Sequence, residues 1–559
     1  MTKKIETNVQ ETLQTVGNFE VEDAMLRLCD AAEGDLTIVN KIAVLFLSYK
    51  YATFESFAEN EADIKANIVD EAAKEKLLST LEKFHKAVDE LSRIYRRKEL
   101  KKAMFEMTSR RIFDREFVDL PDGVSKLVLA LLDIKDGEKF FNLNAGTFKL
   151  PMSVAENEKI SVCGSCETQN SLYLGNIRSA IVDNRIEVKF ANVLETELVD
   201  IQADKVFVYP KYGRARDITN KSLNEICDRL CCKEWAYTAA GILNQKRGGR
   251  TVAILPENVL VNEADKDTRK SLLESGKIEG IISLQKFSGI QHNLVIFSEN
   301  NTSVKMLDAQ EFFTDAERSP HLSDNDVNEI LRRYNDKDEN YIEVPNAKIA
   351  ANNYVVYPSR YLVETKIDFD GEPLSNFVTD IKRGALQARP QELEKLKSKV
   401  PTGYQVLNIQ DITETGISEN LTYLKEEAHL KYERNFVSAG DIVISRLSPF
   451  KAALIPDTNK KIFISENLYA LKVADNVNPN WLLLCLKSPK ILMQLNAMSS
   501  GGASKIINPR ELNKIKIPKV SLENQNEIAK KYSALKSEIE MLNLKIENIR
   551  AEIKNLNAF

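Results

Sequence analysis

The chain has 559 residues, a hydrophobic content of 43%, a charged content of 28% and a formal net charge of -5 at pH 7. Its length allows three or four domains, and this composition argues against a disordered or fibrous protein. No apolar stretch approaches the roughly 20 residues that a membrane helix requires, and the polar start MTKKIETNVQETLQ argues against a secretion signal. Seven cysteines at irregular spacing suit a reducing compartment, so we expect a cytoplasmic protein with no membrane partner.

The order of predicted elements divides the chain into five parts. Apolar residues at three- and four-residue spacing predict a helical domain over residues 1–117, and short strands alternating with helices predict an α/β domain with a parallel sheet over residues 118–300. Residues 301–370 are polar and rich in turn-forming residues, so we expect a linking or accessory segment. Short strands predict an α+β domain over residues 371–525, and a long helix occupies residues 526–559. The predicted strands of the α/β domain are EKFFNLN, KISVCG, IEVKFAN, KVFVYP, TVAILP, IEGIISL and NLVIFS.

The C-terminal third is basic although the whole chain is acidic. Residues 371–559 contain 27 Lys and Arg against 21 Asp and Glu, a net charge of +6, so residues 1–370 carry -11. This asymmetry favours binding of a polyanion at the C-terminal end. The alternative is an ordinary solvated surface, because an imbalance of this size is common.

The terminal helix carries an apolar stripe whose spacing alternates between four and three residues. This spacing is typical of a coiled coil, and Lys and Glu flank the stripe. We therefore expect an antiparallel or intermolecular coiled coil rather than a helix packed only on its own domain. The residues predicted to form the oligomerisation seam are Leu535, Ile539, Leu542, Ile546, Ile549 and Ile553, and the same alternation extends to Ile528, Tyr532 and Leu556.

Two segments of the α/β part carry a family resemblance. REFVDLPDGVSKLVLALLDIKDGEKFFNLNAGTF (115–148) and GGRTVAILPENVLVNEADKDTRKSLLESGKIEGIISLQKFSGIQHNLVIFSEN (248–300) resemble the modification subunit of type I restriction enzymes and the wider adenine-N6 DNA methyltransferase family, over roughly residues 20–300. The resemblance implies a Rossmann-like sheet with a Gly-rich turn and acidic side chains that hold S-adenosylmethionine. It also implies an Asp/Asn-Pro-Pro-Tyr/Phe loop that grips an extruded adenine.

At the cofactor positions the sequence departs from this family pattern. An amide replaces the first acid at Asn142, and Phe148 stands where the family has the last glycine of its turn. The ribose-binding acid falls on Cys166, with Glu167 adjacent. The candidate cofactor residues are Asn142, Gly146, Thr147, Glu167 and Asn192, where Asn192 takes the position of a later family Asp.

The loop that corresponds to the adenine-binding motif is also altered. Pro210 and Tyr212 keep the family residue types, so stacking of a base on Tyr212 is conceivable. Tyr209 replaces the group that would polarise the target amine, and Lys211 would repel a sulfonium cofactor. We therefore expect that catalysis is lost and that no cofactor binds; if the protein is an active variant, the cofactor is S-adenosylmethionine.

Residues 374–556 resemble one half of a type I specificity subunit. Five segments in order carry this resemblance: LSNFVTDIKRGALQ, GYQVLNIQDIT, VSAGDIVISRLSPFKAALIP, SENLYALKV and SSGGASKIINPRELNKIKIPKVSLENQNEIAKK. The resemblance implies a target-recognition domain that reads a short half-site of double-stranded DNA, followed by a spacer helix. The candidate DNA-contacting residues are Lys382, Arg383, Arg446, Lys451, Ser504 and Lys505, for which a solvated surface is the alternative. Since only one such domain is present, its helix is expected to pair with the same chain or a related one.

The leading hypothesis is therefore a DNA-binding subunit of a restriction-modification or antiviral defence complex, with an inactive methyltransferase scaffold and an active methyltransferase or nuclease subunit as partner. One alternative is an active adenine-N6 DNA methyltransferase, and another is an oligomerisation protein that docks a partner without binding DNA. We expect no metal, although Cys163 and Cys166 or Cys227, Cys231 and Cys232 offer thiols at short spacing. For His292 a surface position is favoured over one in the pocket.

Overall fold

The computed structural model describes residues 120–556, apart from short internal gaps. The helices expected before residue 117 lie outside the described residues, as does Ser504. The described part divides into two compact units, which belong to residues 1–356 and 357–559. The gaps are residues 169–170, 173–174, 177, 180–181, 183, 197–200, 215–217, 228–230, 288–289, 313, 317–318, 385–393, 415, 429–432 and 501–504.

The first unit alternates strands and helices. Its strands are β1 Lys139–Leu143, β2 Ser161–Cys166, β3 Ile186–Phe190, β4 Ala203–Val208, β5 Gln245–Pro256, β6 Ile278–Phe287, β7 Ile290–Phe297, β8 Ser303–Asp308, β9 Thr314–Ala316, β10 Ser319–His321 and β11 Tyr341–Pro345. Its α-helices are α1 Asp122–Leu132, α2 Lys149–Val154, α3 Lys233–Leu243, α4 Glu257–Val261, α5 Lys266–Glu274, α6 Asp324–Asp336 and α7 Asn346–Ala351. All seven strands predicted from the sequence of the α/β domain are present.

Nine of these strands form one sheet in the order β11-β8-β6-β7-β5-β4-β1-β2-β3. The strands from β5 to β3 in this order pair in parallel, and β1 and β4 are buried along most of their length, as expected for strands covered by helices on both faces. The expectation of an all-parallel sheet fails at β7, which runs antiparallel to both β5 and β6. Only two residues separate β6 from β7, too few for the crossover that a parallel pair needs. The α/β, Rossmann-like fold class is confirmed.

The prediction that residues 301–370 form a linking segment is wrong. Ser303–Asp308 pairs in parallel with β6, and Tyr341–Pro345 closes that edge of the sheet as an antiparallel strand. The last part of the segment belongs to the second unit, which begins at Tyr357. Polar, turn-rich composition here reflects the exposed edge of a sheet, where strands are short and alternate with loops.

The second unit contains short strands and helices, followed by one long helix. Its strands are β12 Gly371–Pro373, β13 Val378–Arg383, β14 Tyr404–Leu407, β15 Thr422–Tyr423, β16 Phe436–Val437, β17 Ile442–Ser445, β18 Ala452–Leu454, β19 Lys461–Ile464, β20 Leu468–Val473 and β21 Lys516–Pro518. Its α-helices are α8 Ser359–Thr365, α9 Pro479–Lys487, α10 Pro489–Met498, α11 Pro509–Leu512 and α12 Leu522–Leu556. Two four-stranded sheets, in the orders β13-β20-β17-β18 and β15-β14-β19-β16, enclose apolar cores.

The long helix α12 is anchored only at its first turns. Gln525 and Ala529 are buried against the rest of the unit, and the Gln525 side chain accepts a hydrogen bond from the backbone N–H of Asn478 at 2.9 Å. Beyond Lys536 the described side chains of α12 are exposed. Neither this helix nor any other in the described part of the chain is long and apolar enough to cross a membrane.

A close backbone approach at the end of β13 generates a prediction about stability. A Cβ atom at Gly384 would lie 1.9 Å from the carbonyl oxygen of Ser465, whereas a Cβ at Gly403 meets nothing within 4 Å. We expect Gly384→Ala to cost about 2 kcal/mol, because backbone cannot move aside as a side chain can. Differential scanning calorimetry should then show the transition of the second unit lowered by about 4–8 °C. Gly403→Ala is the matched control, and equal midpoints for the two variants would contradict the prediction.

Candidate functional site

The carboxyl ends of β1, β2 and β4 meet at one edge of the sheet. In open parallel sheets this edge is where ligands bind, because the loops that follow the strands converge there. The loops are residues 144–148 after β1, residues from Glu167 after β2 and residues 209–213 after β4. They contain all the sequence-predicted cofactor and adenine-loop residues except Asn142, which lies in β1, and Asn192, which follows β3.

Asn142 lies inside β1 and is only 2% exposed. Its side-chain N–H groups donate to the carbonyl oxygens of Leu143 at 3.3 Å and Phe207 at 3.4 Å. A carboxylate at this position would face these two acceptors and could donate nothing. The amide therefore serves the sheet, with its donors directed at main-chain oxygens.

The turn after β1 holds the loop that follows β4. Asn144 has a φ of 55° and donates a side-chain hydrogen bond to the carbonyl oxygen of Tyr209 at 3.1 Å. Gly146 has a φ of 57°, a conformation that glycine adopts without strain, and its carbonyl accepts a hydrogen bond from Ser171. Thr147 is buried. The turn is tied on both sides by hydrogen bonds to other loops.

Phe148 fills space that two glycines leave open. Its ring is fully buried, and a Cβ atom added at Gly164 or at Gly175 would lie 2.4 Å or 2.8 Å from ring carbons. In the sequence, this residue stands where the family has the last glycine of its turn. The structure places it in the layer over β2, where it fits only because both neighbours lack a side chain.

Glu167 is the acidic group at the end of β2, and it is already occupied. The Lys211 ammonium lies 2.9 Å from its Oε2, and the Tyr237 hydroxyl donates to its Oε1. The Glu167 side chain is only 10% exposed, whereas that of Lys211 is 43% exposed. Burial, and next the Glu167 carboxylate, raise the pKa of Tyr237, so this hydroxyl stays protonated and donates. Tyr237 belongs to no recognisable sequence motif, so it was not predicted from the sequence.

Asn192, the last candidate cofactor residue, closes a turn after β3. Its side chain donates to Glu195 at 2.7 Å and accepts from the backbone N–H of Leu194 at 3.2 Å. Both polar ends of the amide are therefore engaged within three residues of the chain.

Several contacts hold the loop from Tyr209 to Gly213. Besides the Asn144 contact to Tyr209 and the Lys211 ion pair, the backbone N–H of Gly213 approaches both carboxylate oxygens of Glu234 at 3.4 Å. Burial raises the pKa of Glu234 to about 7. A further contact joins Tyr212, the residue before Gly213, to a histidine. Pro210 is buried at the loop's base.

The histidine is His292, and its predicted surface position is wrong. His292 is fully buried on β7, and its Nε2 lies 2.6 Å from the hydroxyl of Tyr212. The Phe287 ring stacks on it with a centroid distance of 3.9 Å. Burial lowers the pKa of His292 to about 4, opposed by a hydrogen bond with the backbone of Ile290. Phe287 was not singled out from the sequence, because its role depends on the pairing of β6 with β7.

The described cysteines do not assemble a metal centre. Within the described ranges no group of three or more His, Cys, Asp or Glu side chains could hold a metal ion. Burial raises the pKa of the Cys163 and Cys166 thiols to about 12, so both are protonated at neutral pH. A thiol must lose its proton to bind zinc.

Of the predicted DNA-contacting residues, Lys382 is exposed and Arg383 is half-buried on β13. The Nε of Arg383 is buried without a hydrogen-bond partner among the described residues. Lys382 lies directly opposite Ala470 on β20, next to Arg383. These two cations therefore share one sheet edge and face different sides of it.

Arg446, another predicted DNA-contacting residue, makes contacts within its own unit. Its guanidinium donates to the hydroxyl of Tyr469 at 3.2 Å and to the carbonyl oxygen of Glu466 at 2.9 Å. The group also lies 5.6 Å from the Tyr469 ring centroid. These contacts join the end of β17 to β20 and use two of the five N–H donors of the guanidinium.

Lys451 and Lys505 also contact their own unit. The Lys451 ammonium donates to the carbonyl oxygen of Ile412 at 3.1 Å. The Lys505 ammonium lies 5.6 Å from the ring centroid of Tyr357. Both remain DNA-contact candidates, and each already has an internal contact.

Comparisons with known proteins divide the chain near the boundary between the two units. Residues 117–369 match the family described as N-6 DNA Methylase, and residues 388–551 match the type I restriction modification DNA specificity domain. None of the curated proteins matches the chain.

Among solved structures, the chain is similar to the type I restriction-modification methyltransferase subunit from Streptococcus thermophilus. The two share 16% identity and a TM-score of 0.48, over 61% of this chain and 98% of that one. It is also similar to the type IIG restriction endonuclease BpuSI, with 13% identity and a TM-score of 0.46 over 88% of this chain and 72% of that one.

The buried imidazole generates a prediction about pH. His292 has a folded pKa of about 4, below its ordinary 6.5, so only the unfolded chain takes up a proton between these values. Stability that is present above pH 6.5 is therefore lost as the pH falls towards 4, by about 3 kcal/mol. We expect His292→Asn to lack this loss, so that the difference in unfolding free energy between wild type and variant shrinks by that amount from pH 7 to pH 4. Urea denaturation at three pH values measures it, and a constant difference would refute the prediction.

Proposed function

Since this chain joins an N-6 DNA methylase domain to a type I DNA specificity domain, we propose that it is a DNA-binding subunit of a bacterial restriction-modification or antiviral defence complex. In this proposal the methylase domain is a scaffold without catalysis. Chemistry then comes from a partner, an active methyltransferase or nuclease subunit. The specificity domain supplies the grip on double-stranded DNA.

The ion pair between Lys211 and Glu167 carries the proposal. S-adenosylmethionine would need a carboxylate at the end of β2 for its ribose hydroxyls, and both oxygens of Glu167 are taken by Lys211 and Tyr237. The same ammonium would face a sulfonium, and like charges repel strongly where solvent is partly excluded. These contacts support the proposal that the pocket does not hold the cofactor.

Other parts of the pocket support the same conclusion. Asn142 directs its donors at main-chain oxygens, and Asn192 is engaged in its own turn. At the position of the family's amide or acid stands Tyr209, whose carbonyl is held by Asn144. A phenol at this position lacks the second polar atom with which an amide orients the target amine of adenine.

The alternative is an active adenine-N6 DNA methyltransferase that uses S-adenosylmethionine. One observation favours it: Tyr212 follows Pro210, as in the family's loop, and is 36% exposed at the site. An exposed ring of this kind can stack on a base. The hydrogen bond between Tyr212 and His292 holds the hydroxyl end of this ring.

The second unit has an exposed cation and a net positive charge, and both favour DNA binding. Lys382 is exposed on β13, and residues 371–559 carry a net charge of +6. Contacts of this kind supply affinity for phosphates and depend on salt, whatever the base sequence. Other residues of the same domain would recognise the base sequence.

Calorimetric titration with S-adenosylmethionine tests the scaffold. We expect no saturable heat for the wild type, and a gain of binding for Lys211→Ala, because this change removes the ammonium and frees one oxygen of the Glu167 carboxylate. Lys246→Ala is the matched control: its ammonium is 44% exposed and pairs with Asp204 at 2.9 Å, away from the loop. Saturable heat at micromolar cofactor for the wild type, together with methyl transfer to DNA, would establish the active alternative.

Fluorescence anisotropy with duplex DNA tests the specificity domain. Replacing Lys382 by Ala should lower affinity about fivefold and reduce the slope of log K against log salt by about one, as expected for one phosphate contact. Lys519→Ala is the control, because Lys519 is exposed in the same unit and pairs with Glu372. Equal losses for both variants would show that only net charge matters, and no binding by the wild type would favour a docking protein.

A further inference from the structure

The topology of the second unit brings the predicted DNA-contacting cations to one end of a sheet. Strands β13 and β17 both run antiparallel to β20, so the carboxyl ends of β13 and β17 lie beside the first residues of β20. The described candidates lie on the last residues of β13, in the loop from β17 to β18, or next to the β-bridge that this loop forms: Lys382, Arg383, Arg446, Lys451 and Lys505. Cations that are far apart in the sequence therefore form one basic end of the unit.

An acidic residue, Glu466, lies at this basic end. It belongs to the turn of residues 465–468 that joins β19 to β20, and its side chain is exposed. Among the described residues, Glu466 is joined to a cation only through its backbone carbonyl, which accepts a hydrogen bond from the Arg446 guanidinium at 2.9 Å. A free carboxylate repels phosphates and weakens the general attraction of a basic surface for DNA. Such a group is favourable at a DNA-binding surface only where it meets a hydrogen-bond donor.

Contacts from other parts of the unit hold the backbone of this turn. The backbone N–H of Ser465 donates to the carbonyl oxygen of Leu407, at the end of β14, at 3.1 Å. Arg446 holds the turn twice, because its backbone N–H donates to the carbonyl oxygen of Asn467 at 2.9 Å and its guanidinium donates to that of Glu466. A side chain that discriminates between bases must be positioned to within about 0.5 Å, and a turn tied in this way meets that need.

We propose that Glu466 reads a cytosine in the major groove of the bound duplex, where its carboxylate accepts a hydrogen bond from the N4 amino group of the base. This inference rests on the proposed function, because it assigns a base contact to the same specificity domain. A carboxylate offers acceptors only, and in the major groove only cytosine and adenine present an amino group. Adenine carries the acceptor N7 beside its amino group, which repels a carboxylate oxygen, whereas cytosine presents only the donor.

The cations around Glu466 suit the other half of the same base pair. The guanine that pairs with cytosine presents two acceptors, O6 and N7, to which lysine and arginine side chains donate. The phosphates on either side of the base pair are also acceptors. One acid among several cations therefore matches a C·G pair in its backbone, whereas a surface with cations alone would bind any sequence.

Selection from a pool of random-sequence duplexes by the full-length chain, followed by sequencing of the bound fraction, tests this assignment. We expect the wild type to enrich a motif in which cytosine is favoured about tenfold at one position. Glu466→Gln should change that position to adenine, because a glutamine amide accepts from N6 and donates to N7. Glu466→Ala should leave that position without a preference and retain the rest of the motif.

Affinity for a duplex that lacks the motif separates base reading from a structural role. Both Glu466 variants should bind such a duplex about twofold more tightly than the wild type, because a repulsive charge is removed, whereas damage to the fold would weaken binding. Asp475→Asn is the matched control. Asp475 is exposed and follows the opposite end of β20, so neutralising it should leave the enriched motif unchanged.

The possible failures differ from one another. If Glu466→Gln enriches the same motif as the wild type, Glu466 reads no base, and the proposed binding of DNA still stands. If the base that changes is not cytosine in the wild-type motif, the assignment to cytosine is overturned. Wild-type binding without any sequence preference would also overturn the inference, whereas a wild type that binds no duplex at all would overturn the proposed function itself.

Discussion

The contact between Lys211 and Glu167 constrains the whole carboxyl edge of the first unit, because it joins the loop after β4 to the end of β2. The parallel strands bring these loops close together. A contact that joins two of them therefore also restricts the movement of the third. Asn144 adds a bond from the turn after β1, and Tyr212 and Gly213 are held by His292 and Glu234. Each contact is worth roughly 1 kcal/mol, but within five residues they leave the loop little freedom. An enzyme that closes on an extruded base needs a loop that can move.

The two units differ in where their polar groups are directed. In the first unit the amides and carboxylates of the candidate pocket satisfy main-chain and side-chain partners of the same unit, such as Asn142 with the carbonyl of Phe207. In the second unit Lys382 points into solvent, and the apolar face of α12 is uncovered. The first arrangement suits a rigid support, and the second suits a surface that meets other molecules. This contrast supports the proposal that the second unit recognises DNA and the first acts as a support.

The sequence was sufficient for the elements that have a strong local pattern. All seven strands of the α/β part and the long terminal helix follow from periodicity, which reports local burial directly. It failed where a residue's surroundings come from distant elements. His292 is buried because β7 inserts between β5 and β6, and Arg446 is held by Tyr469 on a neighbouring strand. Likewise, β8 and the edge strand β11 are short and separated by polar loops, so their pairing could not be foreseen.

The fit of Phe148 between Gly164 and Gly175 makes this loop hard to convert. Replacing Phe148 by the glycine of the family's turn would leave a ring-sized hole in a buried layer, at a cost of about 3–5 kcal/mol. Larger residues at the two glycines would be needed to fill it, and either of them introduced first would collide with the ring. A gradual path towards a cofactor-binding turn therefore begins with a less stable protein. Each single change towards that turn therefore lowers stability, and the present packing is retained.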